Sequence, residues 1–237
     1  MPELRIDIWS DIACPWCYVG KRRLEAALKQ FPHAADVKIV WRAFELDPGA
    51  PPAQQPVPGG YAERLGKKYR MSTAKAEGML TQMTETAARD GLEFRFDRIQ
   101  PGNTFNAHRL IHFALDEGKQ DALKERLLRA YMTEGKLMGD TETLVTLAAD
   151  AGLDPAAVRE VLSSDRYASD VREDEALARE LGISGVPFFV LGGRLGVSGA
   201  QPAEVLLGAL EQAWSDLKPT SEPAFADGAV CGPDGCD

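Results

Sequence analysis

Residues 13–28, ACPWCYVGKRRLEAAL, decide the fold, because the hydrophobic pattern changes there from the period of a strand to that of a helix. Just before them, residues 4–9, LRIDIW, alternate apolar and polar side chains and predict a strand. Beyond Cys14 the apolar side chains recur at helical spacing, and Pro32 ends that helix. Residues 37–44, VKIVWRAF, alternate again. The order strand–helix–strand predicts a βαβ unit, which requires a parallel sheet.

The first helix is predicted to be amphipathic. Its inner face carries Cys17, Leu24, Leu28 and Phe31. Its basic residues are expected to face mostly outward: Lys21, Arg22, Arg23 and Lys29.

The middle of the chain has a different character. Residues 45–60, ELDPGAPPAQQPVPGG, predict a long loop or domain junction, and about five helical segments follow with hardly any strand signal. The predicted N-cap residues of these helices are Ser72, Asp140 and Asp154, and the predicted stops are Gly91, Gly118 and Gly182. Residues 185–199 then predict two short strands joined at Gly192-Gly193, and residues 202–214 predict a last helix.

These elements predict an α/β fold with one four-stranded mixed sheet flanked by helices, interrupted by an all-helical insertion. The expected boundaries are residues 1–50 for the first part of the sheet domain, 51–180 for the helical insertion and 181–217 for the second part of the sheet domain. Residues 218–237 form an irregular C-terminal tail.

Composition and charge narrow the function classes. The formal net charge is −9 and no long basic run occurs, which argues against binding to nucleic acid or to an anionic membrane. The N-terminus lacks the pattern of a secretory signal, and no apolar run approaches the roughly 18 residues of a membrane-spanning helix. We therefore expect a cytoplasmic protein, in which closely spaced cysteines favour redox or metal chemistry over structural disulfides.

The first cysteine pair lies at the predicted strand-to-helix turn. Pro15 suits the first helical position, which places Cys14 at the helix N-terminus, where free N–H groups and the helix dipole stabilise a thiolate. Cys17 lies one turn deeper. This arrangement predicts thiol–disulfide exchange with an exposed, low-pKa Cys14 as the nucleophile and Cys17 as the resolving thiol. Asp11 is expected to be a solvated or turn-forming carboxylate rather than a proton relay.

The second pair, Cys231 and Cys236, flanks the turn sequence GPDG, and a tight reversal there suits a disulfide. Two interpretations stay open: an auxiliary redox pair that exchanges electrons with Cys14–Cys17, or an exposed pair with no relay role. A zinc site formed by all four cysteines is the main rival, and it is disfavoured because Cys14-Pro15 opens a helix.

Three motifs together carry a family resemblance from about residue 4 to residue 215. CPWCYVGKRRLE at residues 14–25, NTFNAHRL at 103–110 and GISGVPFFV at 182–190 resemble the DsbA family of thioredoxin-fold oxidoreductases, and in particular its FrnE-like branch. The resemblance implies a thioredoxin-like fold with an inserted helical domain and a redox-active dithiol without further cofactor.

The same resemblance implies substrate-binding residues. Pro187 would be cis and face the dithiol, and Val186 would offer backbone hydrogen bonds to a bound peptide. His108, from the second motif, is expected to line the cleft, and Trp16 is expected to be partly exposed and to contact substrate. Protein or small-molecule thiols and disulfides are the implied partners, with glutathione or another thiol as electron partner.

The residue at position 14 distinguishes redox chemistry from transferase or isomerase activity within this family of folds. Relatives that act as glutathione transferases or as isomerases of aromatic acids carry Ser at the position of Cys14, so the two thiols here favour redox chemistry. A glutathione-dependent transferase or isomerase is kept as an alternative, as is a zinc-bound or chaperone-like binding module.

Two weaker signals are interpreted as structural. His108 and His112 share a helix face at i, i+4 spacing, but without a third ligand helix packing is favoured over a metal site. Four methionines of the helical region are expected to fill the core: Met79, Met83, Met132 and Met138.

Overall fold

The fold is built on a four-stranded sheet. The computed structural model describes residues 3–52, 60–217, 231–232 and 235–236. The strands of the sheet are β1 (Leu4–Ser10), β2 (Val37–Ala43), β3 (Phe188–Leu191) and β4 (Leu195–Ser198).

The strand order is β2–β1–β3–β4. β1 and β2 run parallel in the register Leu4 to Val37, and β3 lies antiparallel to both β1 and β4. The mixed sheet that the sequence predicts is therefore confirmed. Because β1 occupies an inner position, the loop that follows its last residue lies at the centre of one end of the sheet.

Nine α-helices occur in the part of the chain that the structure describes. They are α1 (Pro15–Leu28), α2 (Gly60–Tyr69), α3 (Thr73–Arg89), α4 (Phe105–Asp116), α5 (Gln120–Met132), α6 (Thr141–Asp150), α7 (Pro155–Leu162), α8 (Ala168–Glu180) and α9 (Ala203–Leu217). We call α2–α8 the helical segment, because it falls between β2 and β3 in the chain. Its division into a separate domain at residues 51–180 stays a prediction.

The helical segment differs from the expectation of about five helices, since seven are present among the described residues. The helix that sequence reasoning missed is α2, which begins where a long loop was expected to end. It is short and contains Gly66, whose missing side chain lets the Met71 carbonyl approach: a Cβ built on Gly66 would lie 2.9 Å from that oxygen. Packing of α2 against α3, rather than helix propensity, explains its presence.

The first helix ends at Leu28, before the predicted stop at Pro32, so Phe31 lies beyond it. The predicted caps and stops of the helical segment are confirmed. Ser72, Asp140 and Asp154 each accept a hydrogen bond from a backbone N–H in the first turn of their helix. The glycines at the predicted stops, Gly91, Gly118 and Gly182, have positive φ, as do both glycines of the β3–β4 turn.

Helices cover both faces of the sheet. Ile6 and Ile8 of β1 point into the main core, which also contains Leu24 of α1 and Leu210 of α9. Trp9 points to the opposite face, where it packs against Ala178 of α8 in a smaller cluster. Among the described residues, no helix is long and apolar enough to cross a membrane.

The expectation that Lys21 faces outward is wrong. Its side chain is 4% exposed, and Nζ lies 3.1 Å from Asp121 Oδ2 and 3.4 Å from Glu125 Oε2. Both carboxylates belong to α5, so the face of α1 that was expected to meet water instead meets the helical segment. Helical periodicity cannot reveal this, because a cation paired with carboxylates across an interface has the same spacing as a solvated one.

The edge strand β2 is covered by side chains from the helical segment. Trp41 donates its backbone N–H to Gln120 Oε1 at 2.9 Å, and its carbonyl accepts from Gln120 Nε2 at 3.0 Å. Ala43 donates its N–H to Asp174 Oδ2 at 2.8 Å. A carboxamide of α5 and a carboxylate of α8 therefore take the place of a neighbouring strand.

Of these two groups, Asp174 makes more polar contacts. Its side chain is 2% exposed, and it also pairs with Arg42 at 2.8 Å and lies 2.9 Å from His112 Nε2. Burial opposes the charge, but His112, the Ala43 N–H and Arg42 together hold the pKa of this carboxyl below its ordinary value. The stability it contributes is therefore present above the unfolded-state pKa of about 3.9 and is lost as the pH falls through the lower folded-state pKa.

We predict that Asp174→Ala lowers the free energy of unfolding by about 3 kcal/mol at neutral pH, because it leaves the buried Ala43 N–H without its partner and removes one of the two carboxylates that pair with the half-buried Arg42. Urea unfolding followed by circular dichroism measures this loss. The control is Glu173→Ala on the same helix, where the replaced carboxylate is exposed. Equal losses for both variants would contradict the role given to Asp174.

Candidate active site

The first cysteine pair lies at the N-terminus of α1, directly after β1. Cys14 is the N-cap residue with extended backbone angles (φ −93°, ψ 113°), and Pro15 occupies the first turn. The Cys17 N–H donates to the Cys14 carbonyl at 3.1 Å. No acidic residue lies in the first turn of α1, so no carboxylate of the helix itself opposes the positive end of its dipole. The helix-end geometry predicted from the sequence is confirmed.

Both thiols are free, so this is the reduced form of the pair, and both are buried. Cys14 is 5% exposed and Cys17 is 1% exposed. The expectation of an exposed Cys14 is therefore wrong. Its Sγ donates to the Val186 carbonyl at 3.5 Å, and this contact with the loop before β3 covers the sulfur.

That loop contains a cis peptide bond between Val186 and Pro187, as the family resemblance implies. The loop packs directly on α1 at Gly20, where an added Cβ would lie 3.0 Å from Pro187 Cγ and 3.3 Å from the Phe189 ring. The absence of a side chain at Gly20 thus sets how closely the loop approaches the helix that carries the dithiol.

A buried lysine lies beneath the pair. Lys124 of α5 is fully buried, donates to the Ser10 carbonyl at 3.3 Å and lies above the Trp41 ring, 5.4 Å from its centroid. Sequence reasoning missed it. The available signal was its spacing, since Lys124, Leu127 and Tyr131 recur at i, i+3 and i+7 on the inner face of α5. A lysine on such a stripe is a candidate for a buried charge.

Asp11 is also buried beside the dithiol, so the expectation of a solvated carboxylate is wrong, whereas the expectation that it forms a turn is confirmed by the bonds that it accepts from Ala13 and Cys14. It is 1% exposed and accepts from the Leu46 N–H at 2.8 Å and the Ala13 N–H at 3.3 Å. His108 Nε2 lies 3.3 Å from its Oδ1. Burial opposes ionisation, but His108 and the Leu46 N–H outweigh it and hold the pKa of Asp11 below its ordinary value.

His108 does not lie where the sequence predicts. It is 1% exposed, lies behind Asp11 and is absent from the wall of the cavity beside Cys14. His112, one turn further along α4, lies against Asp174 instead. The two histidines therefore contact different carboxylates, and within the described residues no group of three or more metal-ligating side chains is arranged to hold a metal ion.

The two thiols differ in acidity, and the expectation of a low pKa at Cys14 is wrong. A hydrogen bond to Cys17, followed by burial, raises the pKa of Cys14 well above its ordinary value. Burial acts in the same direction on Cys17, but the interaction with Cys14 and the Lys124 ammonium outweigh it and lower the pKa of Cys17. The pair therefore loses its first proton readily, with the charge on the Cys17 side, and its second with difficulty.

A cavity of about 480 Å³ opens beside Cys14, between the dithiol and helices α2 and α3. Its walls are mostly apolar or aromatic: Tyr61, Leu65, Leu80, Met83, Phe96 and Tyr131. Val186 contributes from the loop before β3, whereas Cys17 does not reach the cavity. Of the two cysteines, Cys14 is therefore the one that a ligand in this cavity can contact.

Four large apolar side chains at this cavity are exposed. They are Trp16, Leu46, Tyr69 and Met79, each at least 40% exposed. Trp16 is therefore exposed as predicted. Met79 was expected to fill the core and does not, because it lies in this apolar collar, whereas Met83, Met132 and Met138 are buried.

The second cysteine pair lies on two short antiparallel strands, β5 (Cys231–Gly232) and β6 (Gly235–Cys236). Cys231 is the register partner of Cys236. Directly opposed residues of antiparallel strands have Cα atoms about 4.5–5.5 Å apart, within the range of about 4.4–6.8 Å that a disulfide spans. Pro233 and Asp234 of the predicted turn, and residues 218–230, lie outside the described residues.

Comparison with known proteins places these features in a family. Residues 5–211 match the family described as DSBA-like thioredoxin domain. A crystal structure of a probable DsbA oxidoreductase, SCO1869 from Streptomyces coelicolor, is 46% identical, covers 99% of both chains and superposes with a TM-score of 0.85.

Two further proteins are more distant. The uncharacterized protein YwbO of Bacillus subtilis is 30% identical over 191 residues, which is 80% of this chain and 87% of that protein. The cytosolic disulfide reductase DsbM of Pseudomonas aeruginosa, solved with GSH, is 18% identical with a TM-score of 0.59 over 90% of this chain and 96% of that one. At that identity the likeness to DsbM shows the fold alone.

We predict that Lys124→Met raises the first pKa of the dithiol by about one unit, because an ammonium no longer stabilises the neighbouring thiolate. Below that pKa each unit reduces the thiolate fraction, and hence the rate of iodoacetamide alkylation, about tenfold. The pH dependence of alkylation and of the ultraviolet thiolate absorbance measures the shift. The control is Lys136→Met, which removes an exposed lysine.

The same variant is expected to be more stable. Burial lowers the pKa of Lys124 to about 8 from an ordinary value of 10.5, so at neutral pH the folded state holds this proton less favourably than the unfolded chain. Methionine removes that cost, which we place on the order of 1–3 kcal/mol. A variant with an unchanged thiol pKa would contradict the role of Lys124, whatever its stability.

Proposed function

The chain belongs to the DSBA-like thioredoxin domain family, and from that premise we propose that it exchanges disulfides with thiol substrates through Cys14 and Cys17. Its enzyme class is that of the family, thiol–disulfide oxidoreductase. The observation that carries the assignment of the site is the position of Cys14 at a helix N-terminus, against Val186 and at the wall of an apolar cavity.

Cys14 is proposed to form the bond to substrate. In the reducing direction its thiolate attacks a substrate disulfide, so that a Cys14–substrate bond forms and one substrate thiolate leaves. Cys17 then attacks Cys14 Sγ, closes the Cys14–Cys17 disulfide and releases the second substrate thiolate. Two electrons pass to the substrate, and the oxidising direction is the reverse.

The singly deprotonated pair carries one negative charge and one proton. Cys17 is the thiol with the lowered pKa, and Lys124 lies on its side. Cys14 becomes the attacking thiolate when its proton moves to Cys17, which is a short transfer within the pair. Once Cys14 is bonded to the substrate, Cys17 gives up that proton to the departing substrate thiolate and then resolves the mixed disulfide.

Substrate recognition is proposed to use the collar around the cavity. Exposed apolar groups cluster at this mouth, and such clusters mark binding surfaces. Trp16 and Val186 would contact the substrate directly, and Pro187 would hold the Val186 backbone in place. His108 is not proposed as a substrate contact, because it is buried behind Asp11.

Glutathione or another small thiol is proposed as the electron partner, in a reducing, cytoplasmic setting. Four cysteines confined to two close pairs suit such a compartment. A solved structure of DsbM with GSH supports the choice of glutathione by analogy of fold alone.

Cys231 and Cys236 are proposed as an auxiliary pair that exchanges two electrons with Cys14–Cys17. The support is their cross-strand register, which suits a disulfide that opens and closes without rearranging the backbone. The FrnE-like branch suggested by the sequence motifs belongs with this proposal.

We predict that Cys14→Ser abolishes both insulin reduction and dithiol oxidation, because no mixed disulfide forms. Cys17→Ser is expected to accumulate a mixed disulfide on Cys14 and to turn over only slowly. Both rates are measured in the presence of glutathione, with circular dichroism as the check of folding. Wild-type rates in Cys14→Ser would contradict the proposal, and glutathione turnover that survives Cys17→Ser would favour a transferase or isomerase.

For the tail pair, we predict that a Cys17→Ser, Cys236→Ser double variant treated with oxidised glutathione forms an intramolecular disulfide between Cys14 and Cys231, and that the oxidant takes up the two electrons and leaves as two molecules of reduced glutathione. Each substitution removes the resolving thiol of one pair, so an exchange between pairs is trapped. Peptide mapping by mass spectrometry identifies the bond. A disulfide that forms only between molecules, at a yield that rises with protein concentration, would contradict the relay.

The rival zinc site is tested on the same purified protein. Metal analysis that finds one zinc per chain, released as the thiols are oxidised, would contradict a purely redox role for the four cysteines.

A further inference from the structure

The cavity beside Cys14 has features that a general thiol-exchange site does not need. At about 480 Å³ it falls within the range of about 300–1,000 Å³ typical of small-molecule sites, and an extended peptide needs no such depth. Part of its wall is formed by α2 and α3, two helices that play no part in the chemistry of the dithiol. A cavity of this size can hold the whole of a small ligand and not only the sulfur that reacts with Cys14.

The apolar walls define one part of that ligand. Leu65, Leu80, Met83 and Phe96 present hydrocarbon and ring surface, and Tyr61 stacks on Phe96 with ring centroids 5.6 Å apart. A flat or branched apolar group fits between such walls. Glutathione offers little apolar surface beyond its own sulfur, so it leaves most of this wall uncovered.

Polar groups define the other part. Tyr61 and Tyr131 both line the cavity with their phenol groups, Tyr61 half-buried and Tyr131 3% exposed. Burial raises the pKa of Tyr61 to about 12, so its phenol remains a proton donor at neutral pH. Two O–H donors at one cavity suit an acceptor group on the ligand.

Arg64 supplies the charge. Among the described residues its guanidinium has one carboxylate within reach, Asp47 at 4.0 Å, which is the outer limit of an ion pair. Lys68 lies at the same wall and Asp11 at the floor, but Asp11 is already occupied by the Leu46 N–H and His108. The guanidinium therefore keeps most of its donors for an anion, and a carboxylate matches its geometry.

We propose that this cavity binds a small thiol or disulfide that carries an apolar, ring-sized group and a carboxylate, with Arg64 as the counter-ion of the carboxylate. The inference rests on the proposed function, because the sulfur of this ligand must meet Cys14. The covalent step is the exchange already described: the ligand disulfide breaks, a Cys14–ligand disulfide forms and the other half leaves as a thiolate.

The test uses three disulfide probes with the Cys17→Ser, Cys231→Ser, Cys236→Ser protein, in which Cys14 is the one remaining cysteine, so that only the first exchange is measured. The probes are 5,5′-dithiobis(2-nitrobenzoate), which is aromatic and anionic, 4,4′-dithiodipyridine, which is aromatic and uncharged, and oxidised glutathione, which is anionic but hardly apolar. Formation of the mixed disulfide on Cys14 is followed by stopped-flow absorbance for the aromatic probes and by mass spectrometry for glutathione. Each rate is divided by the rate of the same probe with a free model thiol.

We expect the normalised rate to be highest for the nitrobenzoate probe. Arg64→Gln should slow that probe about five- to tenfold, the effect of one charge pair in a partly solvated site, and leave the dipyridine probe within about twofold. Arg64→Lys, which keeps the charge, should recover most of the rate. Arg194→Gln is the matched control, since this exposed arginine lies at the β3–β4 turn, beyond the end of the sheet opposite Cys14.

Two outcomes would overturn the inference. Oxidised glutathione reacting at least as fast as the nitrobenzoate probe after normalisation would show that the apolar walls do not select the ligand. Equal slowing of all three probes by Arg64→Gln would show that Arg64 acts on Cys14 rather than on a carboxylate. Failure of the proposed function looks different, because then no probe forms a mixed disulfide on Cys14 faster than on the free thiol.

Discussion

The hydrogen bonds that cover the edge of β2 determine where everything else in the molecule lies. Gln120 occupies both backbone groups of Trp41, and Asp174 occupies the N–H of Ala43, so helices α5 and α8 are fixed against the sheet by the geometry of its backbone. Apolar packing alone would let a helix slide, whereas paired hydrogen bonds to a strand allow one register. Because Lys124 follows Gln120 by one turn of α5, the same bonds place the ammonium beneath the dithiol.

The candidate active site combines residues from two parts of the fold that affect its stability differently. Strand β1 and helix α1 supply the thiols at a helix end, an arrangement that any chain with this local sequence can form. The helical segment supplies a buried charge, Lys124, and a buried imidazole, His108, and the burial of both polar groups costs folding energy. Their presence is understandable if acidity of the thiols, rather than stability of the fold, is what they serve.

Much of this fold could be predicted from the sequence, because local signals carry it. The period change at Cys14, the caps at Asp140 and Asp154, and the glycine turn before β4 each depend on a few adjacent residues, and each was confirmed. Helix α2 was missed because packing, rather than propensity, holds it.

The site was predicted only in part, for a related reason. The spacing of Cys14 and Cys17 identifies them as a candidate redox pair. The burial of Lys21, Asp11 and His108, in contrast, depends on partners about 100 residues away in the chain. A single sequence shows that these residues are polar and does not show what they face. The motif that contains His108 was therefore assigned to the substrate cleft, although the side chain supports the carboxylate behind it.

Cys14 and Val186 are in contact although they lie 172 positions apart in the chain. During synthesis, Cys14 is therefore made well before the residue that covers it. The two cysteines leave the ribosome first, and the loop that covers Cys14 follows after roughly 10–35 s at about 5–20 residues per second. Strand β3 must insert beside β1 before the sheet is complete, so the dithiol waits uncovered for most of that time. The two thiols of this oxidoreductase are therefore exposed in the nascent chain until β3 has been synthesised.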